Sequence, residues 1–221
     1  MMLLALVIIA LTLRVGATVA QSAREHPSAM EHRAIATFLL QGDGFSFFDW
    51  GVLQETSVQS PIYPWFLTLL FYIFGVDSHA AYGVAMGVNA LVGAATVWAI
   101  FRLAVVMGAR PGVALLAAGL FTIWPTQVYL VTHAQAIVLI TACMILITTL
   151  FYRSMQTGKL GPWIGMSVLG CVAMITEPVL LPPMALTGLL VFIWPGMLNF
   201  RQRLRNAAVL LVAAIALLGP W

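Results

Sequence analysis

The chain has 221 residues, 62% of them hydrophobic and only 8% charged, with a net charge of +3. Soluble domains carry about a quarter charged residues, so composition excludes a soluble globular protein and points to an all-α integral membrane protein. The positive balance is no nucleic-acid signal, because the basic residues sit in short loops between apolar runs, and Cys143 and Cys171 lack any CxxC or Cys/His metal spacing.

Met2–Ala20 reads as a first span. It lacks a basic n-region and Arg14 interrupts the apolar run, so a retained helix is preferred over a signal peptide. The following loop, 21–79, opens with a polar, acidic stretch, 21–60, far too long for a turn. Within it, 31–41 is helical in pattern, with Met30, Ala34, Ile35, Phe38 and Leu39 forming an apolar stripe and Gly42 a C-terminal stop. Asp43 between two glycines reads as a turn.

The segment 61–74 is apolar, but as a helix it reaches only about 21 Å, against a hydrocarbon core of about 30 Å. Further spans follow at 80–106, 112–130 (containing Trp124-Pro125), 134–152, 162–176, 179–194 and 206–218. Charge settles the threading. If 61–74 lies in the interface, all seven acids (Glu25, Glu31, Asp43, Asp49, Glu55, Asp77, Glu177) and the four histidines fall on one face. Seven of the ten basic residues (Arg102, Arg110, Arg153, Lys159, Arg201, Arg203, Arg205) then fall on the other. This obeys the positive-inside rule. It predicts seven spans, a cytoplasmic N-terminus, and two juxtamembrane helices, 31–41 and 61–74, in an outer loop, the second suited to the interface by Tyr63, Trp65 and Tyr72.

Several residues stand out as chemistry carriers. Glu31 heads the amphipathic helix, where a carboxylate gains from the helix dipole and could also act as a base. His32 adjoins it. Arg14, inside a span, is costly unless it snorkels outward or meets a phosphate or an acid. Arg24 and Arg33 are the other outer cations. Glu177, at the tip of a hairpin with short arms, would face the bundle slightly below the surface. His133 and Gln135 lie at the outer end of the fourth span. No P-loop or dinucleotide motif occurs.

The run EHRAIATFLLQGDGFSF, then SPIYPWFLTLLFYIFG, then NALVGAATVWAI, resembles the N-terminal module of bacterial GT-C glycosyltransferases of the dolichyl-phosphate-mannose-protein mannosyltransferase and aminoarabinose-transferase type. Ala36, Leu39, Leu40, Gly42, Gly44, Phe45 and Ser46 match the first motif; Ser60, Pro61, Tyr63, Pro64, Phe74 and Gly75 match the second. The closing Gly219-Pro220-Trp221 looks like the point where many members enter their next outer loop.

The resemblance implies sugar transfer from a polyprenyl-phosphate donor to a lipid, glycan or protein acceptor on the periplasmic face of a bacterial inner (plasma) membrane. It assigns Glu31 as the catalytic acid residue, acting as general base or orienting the acceptor hydroxyl, and with the outer residues above gives Arg14, His32, Arg33, Tyr63, His133, Gln135 and Glu177 as substrate-binding candidates. No cofactor is required, although a divalent metal is compatible. The single module 1–221 would then lack the C-terminal part of a full-length member. There are departures. Tyr129–Gln135 carries no acid where many members have one. Met86 stands where an arginine is common, three residues before Asn89, and Glu177-Pro178 stands where an Arg-Pro pair is common. These leave open a non-catalytic lipid-binding or assembly partner; a transporter is the weaker third reading, since no inverted repeat is visible.

Overall fold

A computed structural model describes residues 1–25, 27–49, 52–56, 59–193 and 198–218; the side chains of Met30, Asp49, Val191 and Leu218 are not described. His26 and the closing Gly219-Pro220-Trp221 run lie outside the described residues. The chain is helical almost throughout: α1 (Met2–Ala20), α2 (Met30–Gln41), α3 (Ile62–Phe74), α4 (His79–Val106), α5 (Pro111–Ile123), α6 (Pro125–Tyr129), α7 (Ile137–Thr157), α8 (Leu160–Thr176), α9 (Leu181–Ile193) and α10 (Phe200–Leu218). Short 3-10 turns, Leu130–Thr132 and Pro178–Leu180, follow α6 and precede α9.

Between α2 and α3 lies an element that sequence patterning missed. Strands β1 (Ser46–Asp49) and β2 (Val52–Glu55) pair antiparallel, with Phe47 opposite Gln54. The approach needs left-handed backbone, which Gly42 (φ +89°) and Gly44 (φ +72°) supply on either side of Asp43. Phe38 of α2 stacks on Phe48 of β1 with centroids 5.4 Å apart, seating the hairpin on α2.

Three described helices, α1, α4 and α7, are long and apolar enough to cross a bilayer, and α5 with α6 makes a fourth if the bent pair is one span. The bend is 54° at Trp124-Pro125, where proline cannot donate the next helical hydrogen bond. Helices α3 and α8 and the 178–190 segment are apolar but shorter. The structure is thus an all-α membrane protein with a small hairpin, and seven crossings is a larger number than length and apolarity alone establish among the described residues.

Two ends of the bundle can be told apart. At one end Gln156 donates to the Val106 carbonyl (2.8 Å) and Arg205 to that of Gly158 (3.4 Å), so the loops after α4 and α7 and the start of α10 adjoin. These segments carry Arg110, Arg153, Lys159, Arg201 and Arg203 as well. At the other end gather α2, the hairpin, α3, the start of α4, the start of α7 and the α8–α9 turn. Helix α3 runs antiparallel to the first third of α4: Tyr63, near its start, meets Asn89, while Phe71, near its end, packs edge-on to Tyr82 at 5.6 Å. Its inner face (Tyr63, Pro64, Leu67, Leu70, Phe71) is buried; Trp65, Leu69, Tyr72, Ile73 and Phe74 remain exposed. The 28 residues of α4 extend about 42 Å, some 12 Å more than a hydrocarbon core requires.

Candidate functional site

The site is built on α2. Its inward face buries Ile35 and Ala36 completely, which turns the adjoining first turn, with Glu31 and His32, toward the bundle. The His32 ring lies against Tyr63 of α3, centroids 5.2 Å apart. Burial pushes the His32 imidazole below its ordinary range, and the neighbouring Glu31 charge opposes this only in part. A half-buried imidazole with a weakened hold on its second proton is the result. On the outer side Arg33 donates to Asp77 through Nε (2.9 Å) and Nη2 (2.6 Å), and Tyr82 donates to the other Asp77 oxygen at 2.7 Å. Asp77 holds a left-handed φ of +56°, which aspartate tolerates better than most residues. This latch fixes α2 to the α3–α4 turn.

Glu31, His32, Gln59, Gln135, Ala136, Ile137, Ile140, Glu177 and Val179 enclose one cavity of about 450 Å3. That volume lies within the roughly 300–1,000 Å3 of small-molecule sites. Gln59 Nε2 donates to Glu31 Oε2 at 3.4 Å, which holds one carboxylate oxygen and leaves the other for a ligand. Glu177 arrives from the α8–α9 turn, where the helix ends because Pro178 cannot extend it. The two formal charges on the cavity wall are both negative. His32 Nδ1 and Gln135 Nε2 are buried without a hydrogen-bond partner. Unpaired buried nitrogens are uncommon, and two in one cavity wall suit a site that awaits a polar ligand.

The α7 side of the wall is held by Asn89. Its Nδ2 donates to the His133 carbonyl at 2.9 Å and to the Tyr63 hydroxyl at 3.4 Å, tying α4, α3 and the approach to α7 together. Burial pushes the Tyr63 phenol up, with the Asn89 bond opposing, so Tyr63 stays protonated and able to donate. His133 also pairs through its backbone with Ser28, in an isolated parallel bridge, while its ring packs on Tyr129 at 4.6 Å.

Of the residues that sequence patterning singled out, Glu31, His32, Gln135 and Glu177 share the cavity, and Tyr63 stands behind His32. His133 contributes backbone beside the wall. Arg33 sits outside it, exposed and paired to Asp77. Arg14 differs most from expectation. It does not snorkel outward but is 0% exposed among α1, α4 and α5, because Gly93 leaves it room. Gln59 carries no sequence signal of a role and Asn89 only its place at the head of a matched run; the fold alone reveals their partners. Among the described residues no group of three or more His, Cys, Asp or Glu side chains could hold a metal ion.

The family described as dolichyl-phosphate-mannose-protein mannosyltransferase matches residues 58–221, about three quarters of the chain. The match takes in Gln59, Tyr63, His133, Gln135 and Glu177, while Glu31 and His32 precede it. No curated protein and no solved structure matches. Apolar helices, a polar cavity at one end of the bundle and this match lead to one conclusion: the chain belongs to the dolichyl-phosphate-mannose-protein mannosyltransferase family, membrane glycosyltransferases of the GT-C type.

Proposed function

We propose that the chain transfers a sugar from a polyprenyl-phosphate donor to an acceptor hydroxyl in the cavity bounded by Glu31 and Glu177, with Glu31 as the base. The observation that carries the reading is the meeting of these two carboxylates, from elements 146 positions apart, in one cavity whose remaining polar groups are neutral. In this mechanism Glu31 takes the acceptor hydroxyl proton as the oxygen bonds to the anomeric carbon. The bond from that carbon to the phosphate oxygen breaks, and polyprenyl phosphate leaves with the electron pair. Positioned general bases contribute about 10²–10⁴-fold. Gln59 orients the carboxylate, Glu177 and Gln135 bind sugar hydroxyls, and Ile137, Ile140 and Val179 provide an apolar wall. Neutral His32 adds no competing positive charge beside the base.

The working end faces away from the cytoplasm in this reading, since the basic loops gather at the opposite end. Helix α3 then lies in the outer interface, with Trp65 and Tyr72 toward lipid headgroups. The cations nearest this end are Arg33, two positions along α2 from Glu31, and Arg24, and either can meet the donor phosphate.

The test is Glu31→Gln, which keeps the shape and the Gln59 contact. Transfer from a polyprenyl-phosphate sugar should fall at least about 100-fold with the fold intact; undiminished transfer removes Glu31 from this role. The purely acidic charge lining favours a second reading, a lipid-binding or assembly partner without catalysis. Under it, no polyprenyl-phosphate sugar is consumed by the unaltered protein.

A further inference from the structure

The α5–α6 pair breaks at the exposed Trp124-Pro125 step, directly after the buried Thr122, and a helix that breaks in apolar surroundings leaves carbonyls without donors. One of these is the Thr122 carbonyl. Among the described bonds it receives no backbone N–H; Trp124 N turns back instead to Phe121, at 3.4 Å. Arg14 fills the gap from α1, its Nη1 donating to the Thr122 carbonyl (3.4 Å) and to that of Ala10 (3.1 Å). The guanidinium carbon stands 5.6 Å from the centre of the Phe121 ring.

Gly93 of α4 faces both this side chain and the segment beyond the break. A β-carbon added at Gly93 of α4 would lie 2.6 Å from Arg14 Nε and 3.6 Å from Val131 Cγ2, so Gly93 opens the slot in which Arg14 lies, close to the 3-10 turn. That turn runs directly into His133 and Gln135. We propose that Arg14 is the internal cap of the broken α5–α6 helix, and thereby a positioning residue that sets where Gln135 enters the cavity wall.

Three features converge on this role. Arg14 is fully buried, so it has no solvent duty. Its hydrogen bonds go to carbonyls that a helix interior or a helix break provides, and no described carboxylate pairs with it. Its Nε and Nη2 remain without partners, so the guanidinium keeps donors for further carbonyls of the break should the elbow shift. The inference rests on the cavity reading above only for its consequence in catalysis. The elbow itself can be read without any substrate.

The experiment places a reporter cysteine at Gln135 in purified protein in detergent, with the buried Cys143 and Cys171 replaced by alanine. Labelling by a polar maleimide is compared with a control cysteine at Lys159, at the opposite end. Arg14→Met should change the labelling rate of the Gln135 reporter by about tenfold, the scale expected when a buried acceptor loses its donor, with the Lys159 reporter unchanged. Pro125→Ala, which lets α5 run on and supply the carbonyl from its own backbone, should shrink the Arg14→Met effect. Unchanged Gln135 labelling in a monodisperse Arg14→Met protein overturns the proposal, and so does an equal rise at both reporters. If Arg14→Met does not fold, Gly93→Ala crowds the same guanidinium: a selective change at the Gln135 reporter supports the proposal, and no change or an equal rise at both reporters overturns it. A positive labelling result with a silent Glu31→Gln test would leave the elbow standing and remove only the proposed chemistry.

Discussion

Replacing Asn89 tests the junction that places the cavity wall. Asn89 is 3% exposed, and one nitrogen serves two oxygens: the His133 carbonyl at 2.9 Å and the Tyr63 hydroxyl at 3.4 Å. The shorter bond dominates, since hydrogen bonds weaken steeply near the longer distance. Asn89→Ala strands the carbonyl, at a cost of about 1–3 kcal/mol. For a chain of about this size each kcal/mol moves the midpoint by about 2–4 °C, so a loss of about 5 °C is expected. Asn89→Asp is the sharper variant. It keeps the shape but buries a carboxylate against the His133 carbonyl, with only the distant Tyr63 hydroxyl to donate to it, so above neutral pH it should be worse than alanine. As pH falls and the carboxyl gains a proton to donate, the gap should close. Tyr63→Phe removes only the long bond and should cost about 0.5–1 kcal/mol. Thermal unfolding in detergent, followed by tryptophan fluorescence at pH 5 and pH 8, reads all three. The reasoning fails if Asn89→Ala melts with the unaltered protein, or if Asn89→Asp is no worse than alanine at pH 8.

Other expectations concern the same end of the molecule. Because burial lowers the His32 pKa, the folded state binds fewer protons there than the unfolded chain, so stability is full above about pH 6.5 and declines as pH falls below it; His32→Gln should flatten that part of a midpoint-against-pH curve. Arg33→Ala breaks an exposed ion pair and should cost at most about 1 kcal/mol, fading in high salt. Asp77→Ala should cost more than Arg33→Ala, because it also frees the Tyr82 hydroxyl and puts alanine, which tolerates left-handed backbone less well than aspartate, at φ +56°; equal midpoints would deny the latch. A cysteine at Asp77 should react with an impermeant maleimide from outside intact cells, and one at Lys159 should not; the reverse pattern would invert the proposed orientation.

The chain is most legible from sequence where periodic apolar runs meet sharp stops. Gly42 ends α2, Arg110-Pro111 starts α5, and Glu177-Pro178 ends α8, each through local backbone chemistry that needs no tertiary context. Charge sorting brings Glu31, His32, Gln135 and Glu177 to one end, since that argument depends on loops alone. The hairpin is not legible, because four-residue strands carry too little alternation and depend on Phe48 seating against Phe38. The berth of Arg14 is hidden for a related reason. An arginine in a span is expected to seek water, and only Gly93, 79 positions away, and the break after α5 make an interior place for it. The roles of Gln59 and Asn89 arise from partners that sequence does not bring together.

The length of α4 has a consequence for how the protein meets different lipids. The cap formed by α2 and α3 is bolted to the first third of this helix through Tyr63, Phe71 and the Arg33–Asp77 pair, so cap and helix rise or sink together. Acyl chains of increasing length are accommodated by altering tilt, by thinning the bilayer locally or by drawing the aromatic face of α3 into hydrocarbon. Under the proposed chemistry, transfer should therefore pass through an optimum as bilayer thickness is varied, which would make membrane composition a control on it without any dedicated regulatory site.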